Sequence, residues 1–426
     1  MIRSTLSGFA LLTASLLSLP APAAELPTLV IPQGVGVNIH FSSGHEKDLD
    51  MIAAAGIKVV RADFPWAEIE RYQGVYNWSA YEELAKNMTK RGLRPLFILS
   101  YSNALYEETV RKYWQGVWPY YEVNSPQHAR SVEAFSNWSA AAAKHFKKYN
   151  VMWEIWNEPN INSFWKPTPD VAAYTRLALS ACNAIRKADA NTTIVAPAAS
   201  LFPWDYLEFF FKAGALNCID AVSVHPYRAN IPETVTDDYA RLRKLVDQYT
   251  SPNRKQIPIL SGEWGYSTER FGVPLDDQAN YVVRMQLINL LNGVSLSVWY
   301  DWKNDGTDAG NNEHNYGLVS DVLAPKVSYE ALKTFTTQLS GYHFVRRLDI
   351  GHENDYALLF ADDKGRSKIA AWTIGWWARD VRILIANLPL SSKPMVIDGH
   401  GRANAAQLEE HMILLRLSNS PVYIAL

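Results

Sequence analysis

The sequence predicts an α/β fold: a closed (β/α)8 barrel over residues 30–340, then a small antiparallel β-sandwich domain over residues 341–426. Three observations carry this expectation. Eight short β-rich runs alternate with longer stretches at helical spacing, a rhythm that needs crossover helices and parallel strands. The glycine-rich phosphate fingerprint of an open dinucleotide-binding sheet is missing after the first run, where the chain reads Asn38-Ile-His-Phe-Ser-Ser-Gly44. After residue 341 the runs become short and β-like, separated by Asp, Gly, Asn and Ser, as in hairpins.

Val35–Ile39 is the first expected strand, and Glu46–Ala55 the first helix, with Leu49, Ile52 and Ala53 on one side and Gly56 to end it. Ile57–Arg61 is the second strand. Ser79-Ala-Tyr-Glu82 has the form of a capping box, with Tyr81, Leu84, Ala85 and Met88 at helical spacing behind it, and Gly92 closes that helix before the strand Pro95–Leu99. The alternation continues through helix Ser131–Lys148, strand Val151–Trp156, helix Val171–Lys187, strand Thr193–Ala196 and a short helix near Tyr206–Lys212. Strand Ala221–Val224, helix Tyr239–Tyr249, strand Ile257–Leu260, helix Gln278–Leu291, strand Ser295–Trp299 and helix Ser328–Thr336 complete eight units, which fit a closed barrel better than an open sheet. The sandwich strands expected are Tyr356–Phe360, Ser367–Thr373, Val381–Ile385, His411–Leu415 and Pro421–Leu426.

With 41 Lys+Arg against 43 Asp+Glu, the charges nearly cancel, which disfavours a nucleic-acid binder steered by net charge. The aromatic load is high, 15 Trp and 22 Tyr, and flat rings suit both packed cores and the CH-rich faces of sugars. Residues 1–24 have the form of a signal peptide: Arg3, an apolar stretch Phe9–Leu19, then small residues up to Ala24. The stretch is short for a bilayer span, so the expectation is an exported protein, periplasmic or secreted, with no stable membrane span in the mature chain. Export makes a disulfide between Cys182 and Cys218 possible; two separate buried thiols are the alternative.

Active sites on such barrels gather where strands exit at their C-terminal ends. Trp156-Asn-Glu158-Pro-Asn160 follows strand four and Ser261-Gly-Glu263-Trp-Gly265 follows strand seven, so two glutamates converge over one cavity. Glycosidic bond hydrolysis needs such a pair, one carboxyl protonated while the other is ionised. Glu154, deeper in strand four, is expected to hydrogen-bond structurally. The polar stretch Asp301, Asp305, Asp308, Glu313 and His314 lacks a calcium-loop pattern and is read as a cleft loop, so no metal or cofactor is expected.

These motifs resemble those of the clan of retaining glycosidases with an acid/base after strand four and a nucleophile after strand seven. With Arg61-Ala-Asp-Phe-Pro-Trp66, Gly74-Val-Tyr-Asn-Trp78 and the trailing β-domain, the chain is similar to glycoside hydrolase family 39, and within it to hydrolases of biofilm exopolysaccharides. The resemblance implies Glu158 as acid/base and Glu263 as nucleophile. It also implies Asn157 on the sugar 2-hydroxyl, Arg61 and Tyr227 holding Glu263, His225 lining the sugar site, and Trp299 as its floor. His40 is a further candidate. The implied partner is a polysaccharide or oligosaccharide, cleaved internally and containing mannose. An exo-acting β-glycosidase such as a β-xylosidase, and a catalytically silent carbohydrate-binding protein, stay open as alternatives. Tyr106, Tyr113, Trp114, Trp118, Tyr120, Tyr121, Phe164, Trp165, Phe202, Trp204, Tyr300 and Trp302 on the exit loops are the rings expected to serve as sugar platforms.

Overall fold

The computed structural model describes residues 26–114, 118–254, 256–385 and 394–426; the expected signal peptide lies outside them. Eight parallel strands close a barrel: β1 (Val35–Ile39), β2 (Val59–Pro65), β3 (Arg94–Ser100), β4 (Met152–Ile155), β5 (Thr193–Ser200), β6 (Ala221–His225), β7 (Ile259–Trp264) and β8 (Ser297–Trp299). Each strand pairs with the next, and β8 returns to β1 through Val35–Ser297 and Val37–Trp299. Val59, Leu96, Met152, Val195, Ala221, Leu260, Leu296 and Val298 form a separate apolar cluster contributed by the barrel strands and their approaches. This is the side-chain filling that makes such a barrel a packed core rather than a pore.

The helices are α1 (Glu46–Ala54), α2 (Trp66–Ile69), α3 (Ser79–Lys90), α4 (Ala129–Phe146), α5 (Val171–Ala188), α6 (Trp204–Lys212), α7 (Thr236–Tyr249), α8 (Leu275–Leu291) and α9 (Val327–Gln338). Their apolar faces pack against the outside of the barrel, so each buries a stripe. The expected capping box at α3 does not form. Ser79 is already helical, and the Asn77 side chain two residues earlier accepts from its backbone N–H at 3.1 Å and its hydroxyl at 2.8 Å. Glu82 instead takes Lys148 (2.6 Å) and His145 (3.1 Å) from the α4 end, partners absent from any local motif. Between β3 and α4 a two-stranded hairpin, Thr109–Trp114 with Trp118–Val123, stands where the sequence suggested an exit loop.

The C-terminal region holds β9 (Tyr342–Arg347), β10 (Asp355–Asp362), β11 (Ser367–Thr373), β12 (Arg379–Leu384), β13 (Met395–Ile397), β14 (Ala403–Ala405), β15 (Gln407–Glu409), β16 (Met412–Leu417) and β17 (Val422–Ala425). They form a six-stranded sheet ordered β9-β10-β11-β17-β13-β14 and a three-stranded sheet ordered β12-β16-β15. Leu359, Ile369, Ile383, Ile413 and Ile424 are among the side chains buried together in this region, drawn from both sheets. The six-stranded sheet also contributes Leu358, Phe360, Ala370, Trp372 and Tyr423 to the barrel's outer core. Cys182 of α5 and Cys218, just before β6, are joined by a disulfide with Cα atoms 6.2 Å apart. Among the described residues no helix is long and apolar enough to cross a membrane.

Candidate active site

The strand exits converge on a cavity of 560 Å³ whose lining includes Asn38, His40, Arg61, Asp63, Tyr101, Asn157, Glu158, Tyr227, Glu263, Tyr300, Glu313 and Tyr316. Asn38 of β1 with His40 just past its end, and Arg61 with Asp63 on β2, face it together, as the period-two alternation of a strand requires.

Arg61 organises the floor. Fully buried, it donates from Nε to Glu154 Oε2 (2.6 Å), from Nη1 to Glu263 Oε2 (2.6 Å) and Asn38 Oδ1 (3.1 Å), and from Nη2 to Asn157 Oδ1 (2.6 Å). The planar guanidinium fork supplies these directions at once, which an ammonium cannot do. Tyr227 donates to the other oxygen of Glu263 at 2.8 Å, so each oxygen of this carboxylate is held by its own donor. Gly262, just before it, has to be glycine: a Cβ there would stand 2.1 Å from Ser223 Oγ and 3.2 Å from Glu154 Oε1.

Glu158 reaches the cavity through an unusual backbone. Trp156 (φ 71°) and Glu158 (φ 45°) both occupy the left-handed region, which side chains other than glycine enter at a cost. The indole N–H of Trp156 donates to the Phe164 carbonyl (3.2 Å) and the Glu158 N–H to the Ala198 carbonyl (2.9 Å), and these bonds hold the turn in place. Burial pushes the Glu158 carboxyl above the usual carboxylate range, against the smaller opposing effects of a Ser200 hydrogen bond and the Arg61 charge. His225 lies behind Glu158, its Nδ1 2.9 Å from Oε1. Burial takes its pKa down to about 4, with Glu263 and Glu154 opposing and Arg61 assisting, so it is neutral near pH 7. Arg61 Nη2 is 3.4 Å from His225 Nε2, and a guanidinium has only donors. Nε2 therefore accepts and Nδ1–H donates to Glu158.

The structure thus brings Glu158, Glu263, Arg61, Asn157, Tyr227 and His40 together and corrects two expectations. His225 is fully buried and supports Glu158 from behind instead of lining the sugar site. Trp299 is also fully buried, donating to the Tyr316 carbonyl at 3.3 Å, because strand alternation turns it away; Tyr300, the next residue, and Tyr316 line the cavity in its place. His40 stands at the rim beside Asp305 (3.2 Å) and Asp301 (3.8 Å). Burial would lower its pKa, but the Asp305 hydrogen bond and the charges of Asp301, Asp305 and Asp63 outweigh this and raise it to about 9. Glu154 makes the structural bond expected of it. Among the expected platforms, Trp165 and Trp302 are fully buried, Tyr106 stacks on Trp66 and Phe202 on Trp204, whereas Phe164 and Tyr300 line the cavity. Sequence reasoning did not single out Asn38, Asp63 or Tyr316; period-two counting from His40 and Arg61 points to the first two, whereas Tyr316 comes from a loop with no such signal.

Comparison with known proteins matches this architecture. A family 39 glycoside hydrolase from the gut symbiont Bacteroides cellulosilyticus WH2 is 24% identical with a TM-score of 0.78, over 94% of this chain and 81% of that one. A GH39 beta-xylosidase from Caulobacter crescentus (18% identity, TM-score 0.65, 92% and 95% covered) shares the fold. So does a GH30 endoxylanase from Clostridium papyrosolvens C71 (14%, 0.65, 95% and 97%). The likeness to family 39 holds at the level of fold. The family model that residues 30–306 match is described as Cellulase (glycosyl hydrolase family 5). The chain is a clan A barrel glycoside hydrolase, and it belongs to the cellulase family, glycosyl hydrolase family 5.

Proposed function

We propose that the protein is a retaining β-glycosidase that works by double displacement on a xylose-type glycan, releasing units from chain ends. The observation that carries the retaining mechanism is the carboxylate spacing: an oxygen of Glu158 and an oxygen of Glu263 lie within 4.8 Å of each other. Retaining pairs stand about 5–5.5 Å apart, and inverting pairs are about 6.5–9.5 Å apart, to admit a water. Glu263, held by Arg61 and Tyr227, attacks the anomeric carbon while Glu158, its proton retained by burial, protonates the leaving oxygen. The glycosyl–Glu263 ester removes one charge from the site, so Glu158 then accepts a proton from the attacking water and the sugar leaves with its original configuration. Asn157 has committed its carbonyl oxygen to Arg61, which leaves its NH2 to donate to the 2-hydroxyl.

A xylose-type chain is supported by the beta-xylosidase and endoxylanase described above, and exo action by the beta-xylosidase and by the size of the cavity, within the range of small-molecule pockets. One observation favours a second reading, internal cleavage of an exopolysaccharide. The hairpin before α4 presents Tyr113, Tyr120 and Tyr121 to solvent, rings available to a longer chain. The proposal includes export, supported by the signal-like first 24 residues and by the disulfide.

Proton NMR of the first product from an aryl β-xyloside tests the mechanism: β-xylose should appear before mutarotation, and α-xylose would refute retention. Azide added to Glu158→Ala should restore turnover as β-glycosyl azide, and added to Glu263→Ala it should give the α-azide. Exchanged products would reverse the two roles. Sizing of a polymer during digestion separates exo from endo, since early collapse of chain length means internal cleavage.

A further inference from the structure

An indole left in water forfeits the apolar burial that tryptophan otherwise contributes, so exposed tryptophans on a fixed backbone need a reason. Nine tryptophans are among the largest fully buried side chains, yet Trp376 and Trp377 are 97% and 84% exposed, side by side in the turn between β11 and β12. The turn is anchored. Ile374 N–H donates to the Asn354 carbonyl (2.9 Å), Gly375 N–H to Thr373 Oγ1 (3.1 Å), and Thr373 Oγ1 to Asp355 Oδ1 (2.6 Å). Those bonds join it to the 347–355 connection, which lines a hollow of 530 Å³ furnished with Arg347, Asp349, His352 and Glu353. Flat rings beside a polar hollow offer stacking and hydrogen bonding together.

The placement matters as much as the chemistry. Trp372, at the end of the same strand, donates its indole N–H to Glu233 at 2.8 Å, and Glu233 precedes α7 on the catalytic side of the barrel. Four residues span at most about 14 Å, so Trp376 lies within that reach of Trp372, and neither Trp376 nor Trp377 lines the catalytic cavity. We propose that Trp376 and Trp377, with the adjoining 347–355 hollow, form a second, non-catalytic surface that holds the polysaccharide while another part of it occupies the cavity. This rests on the chain acting on a carbohydrate polymer and not on the exo or retaining reading. A lipid surface fits less well, because Asp349 and Glu353 beside the rings oppose anionic headgroups.

Retention of the intact chain on insoluble xylan, cellulose and mannan tests this, in a Glu263→Gln background so that nothing is cleaved. Trp376→Ala/Trp377→Ala should be retained at least fivefold less on one of these polymers, and Trp376→Tyr/Trp377→Tyr should be retained like the parent. In the otherwise native enzyme the double alanine variant should turn over an aryl glycoside within twofold of the parent. Failure of the glycosidase reading appears separately, as an aryl glycoside turnover unaffected by Glu263→Gln. Unchanged retention on all three polymers overturns the surface proposal. So does a loss confined to anionic vesicles, or a dimer that dissociates on substitution, since these would assign the rings to a membrane or to a second copy of the chain.

Discussion

Arg61 donates hydrogen bonds to Glu154, Asn38, Glu263 and Asn157 from within the barrel, so each of these residues is oriented by the same cation. Arg61→Met should cost about 3–5 kcal/mol, because Glu154 would be left buried without its partner. Denaturant unfolding measures the loss. Arg61→Lys should keep more of the stability but lower turnover by two or more powers of ten, since one ammonium cannot align Glu263 and Asn157 together. Glu158 gives a pH signature. Its folded pKa lies above the unfolded value, so the native state holds the extra proton, and the group lowers stability as pH rises from its unfolded value through its folded one. Glu158→Gln removes this, and should be more stable than the parent at pH 7–8 with the difference vanishing near pH 4, while turnover falls about 10²–10⁴-fold. A parent that is the more stable of the two at pH 8 would contradict the burial argument.

Among the elements, strands and helices that carry their own periodicity were legible, and contacts made at a distance were not. Ser367–Thr373 appears with the bounds its β-rich run suggests, and α5 differs by one residue from expectation. Ser79-x-x-Glu82 fits a capping motif in sequence, but α4 lies within reach of Glu82 and takes it. The two glutamates were readable because each follows a strand within a repeating pattern. Trp299 ends β8 with its ring turned by strand alternation into the outer core, so Tyr300, the next residue, faces the cavity instead. The hairpin was not legible because Thr109–Trp114 and Trp118–Val123 carry charged and aromatic residues in succession, without the apolar–polar alternation that marks a strand. The disulfide binds α5 to the segment before β6, which is the end of that strand opposite the carboxylates. Its loop of about 36 residues gives a chain-entropy stabilisation of roughly 4 kcal/mol. Cys182→Ala/Cys218→Ala should therefore lower Tm by several degrees while kcat at 25 °C stays within twofold. A large loss of kcat with the fold intact would mean that the bridge reaches the active site.

The whole molecule is held as one body by a buried group between its two parts. Arg284 of α8 makes a two-pronged pair with Glu233 (2.7 and 2.6 Å), and Trp372 of β11 donates to the same carboxylate. Trp372→Phe keeps the ring but removes the donor, which should cost about 1.5–3 kcal/mol, the range for a hydrogen bond to a charged group. Thermal unfolding should stay a single transition, and separate barrel and sandwich transitions would show that the interface is weaker than its burial implies. The sequence indicated both parts, but not this contact, because Glu233, Arg284 and Trp372 come from three distant segments with no shared pattern.

The sheet order also sets a timetable. β17 follows the other described strands of its sheet in sequence, yet it sits between β11 and β13, so the sheet has no middle until residues 422–425 are available. On a ribosome adding about 5–20 residues per second, the roughly 50 residues between β11 and β17 take about 3–10 s. For that interval β11 presents an unpaired hydrophobic edge, the kind of template on which other chains add. A sandwich completed from its centre last thus favours a late, concerted closure, and makes the nascent protein most prone to aggregate after its barrel residues have emerged.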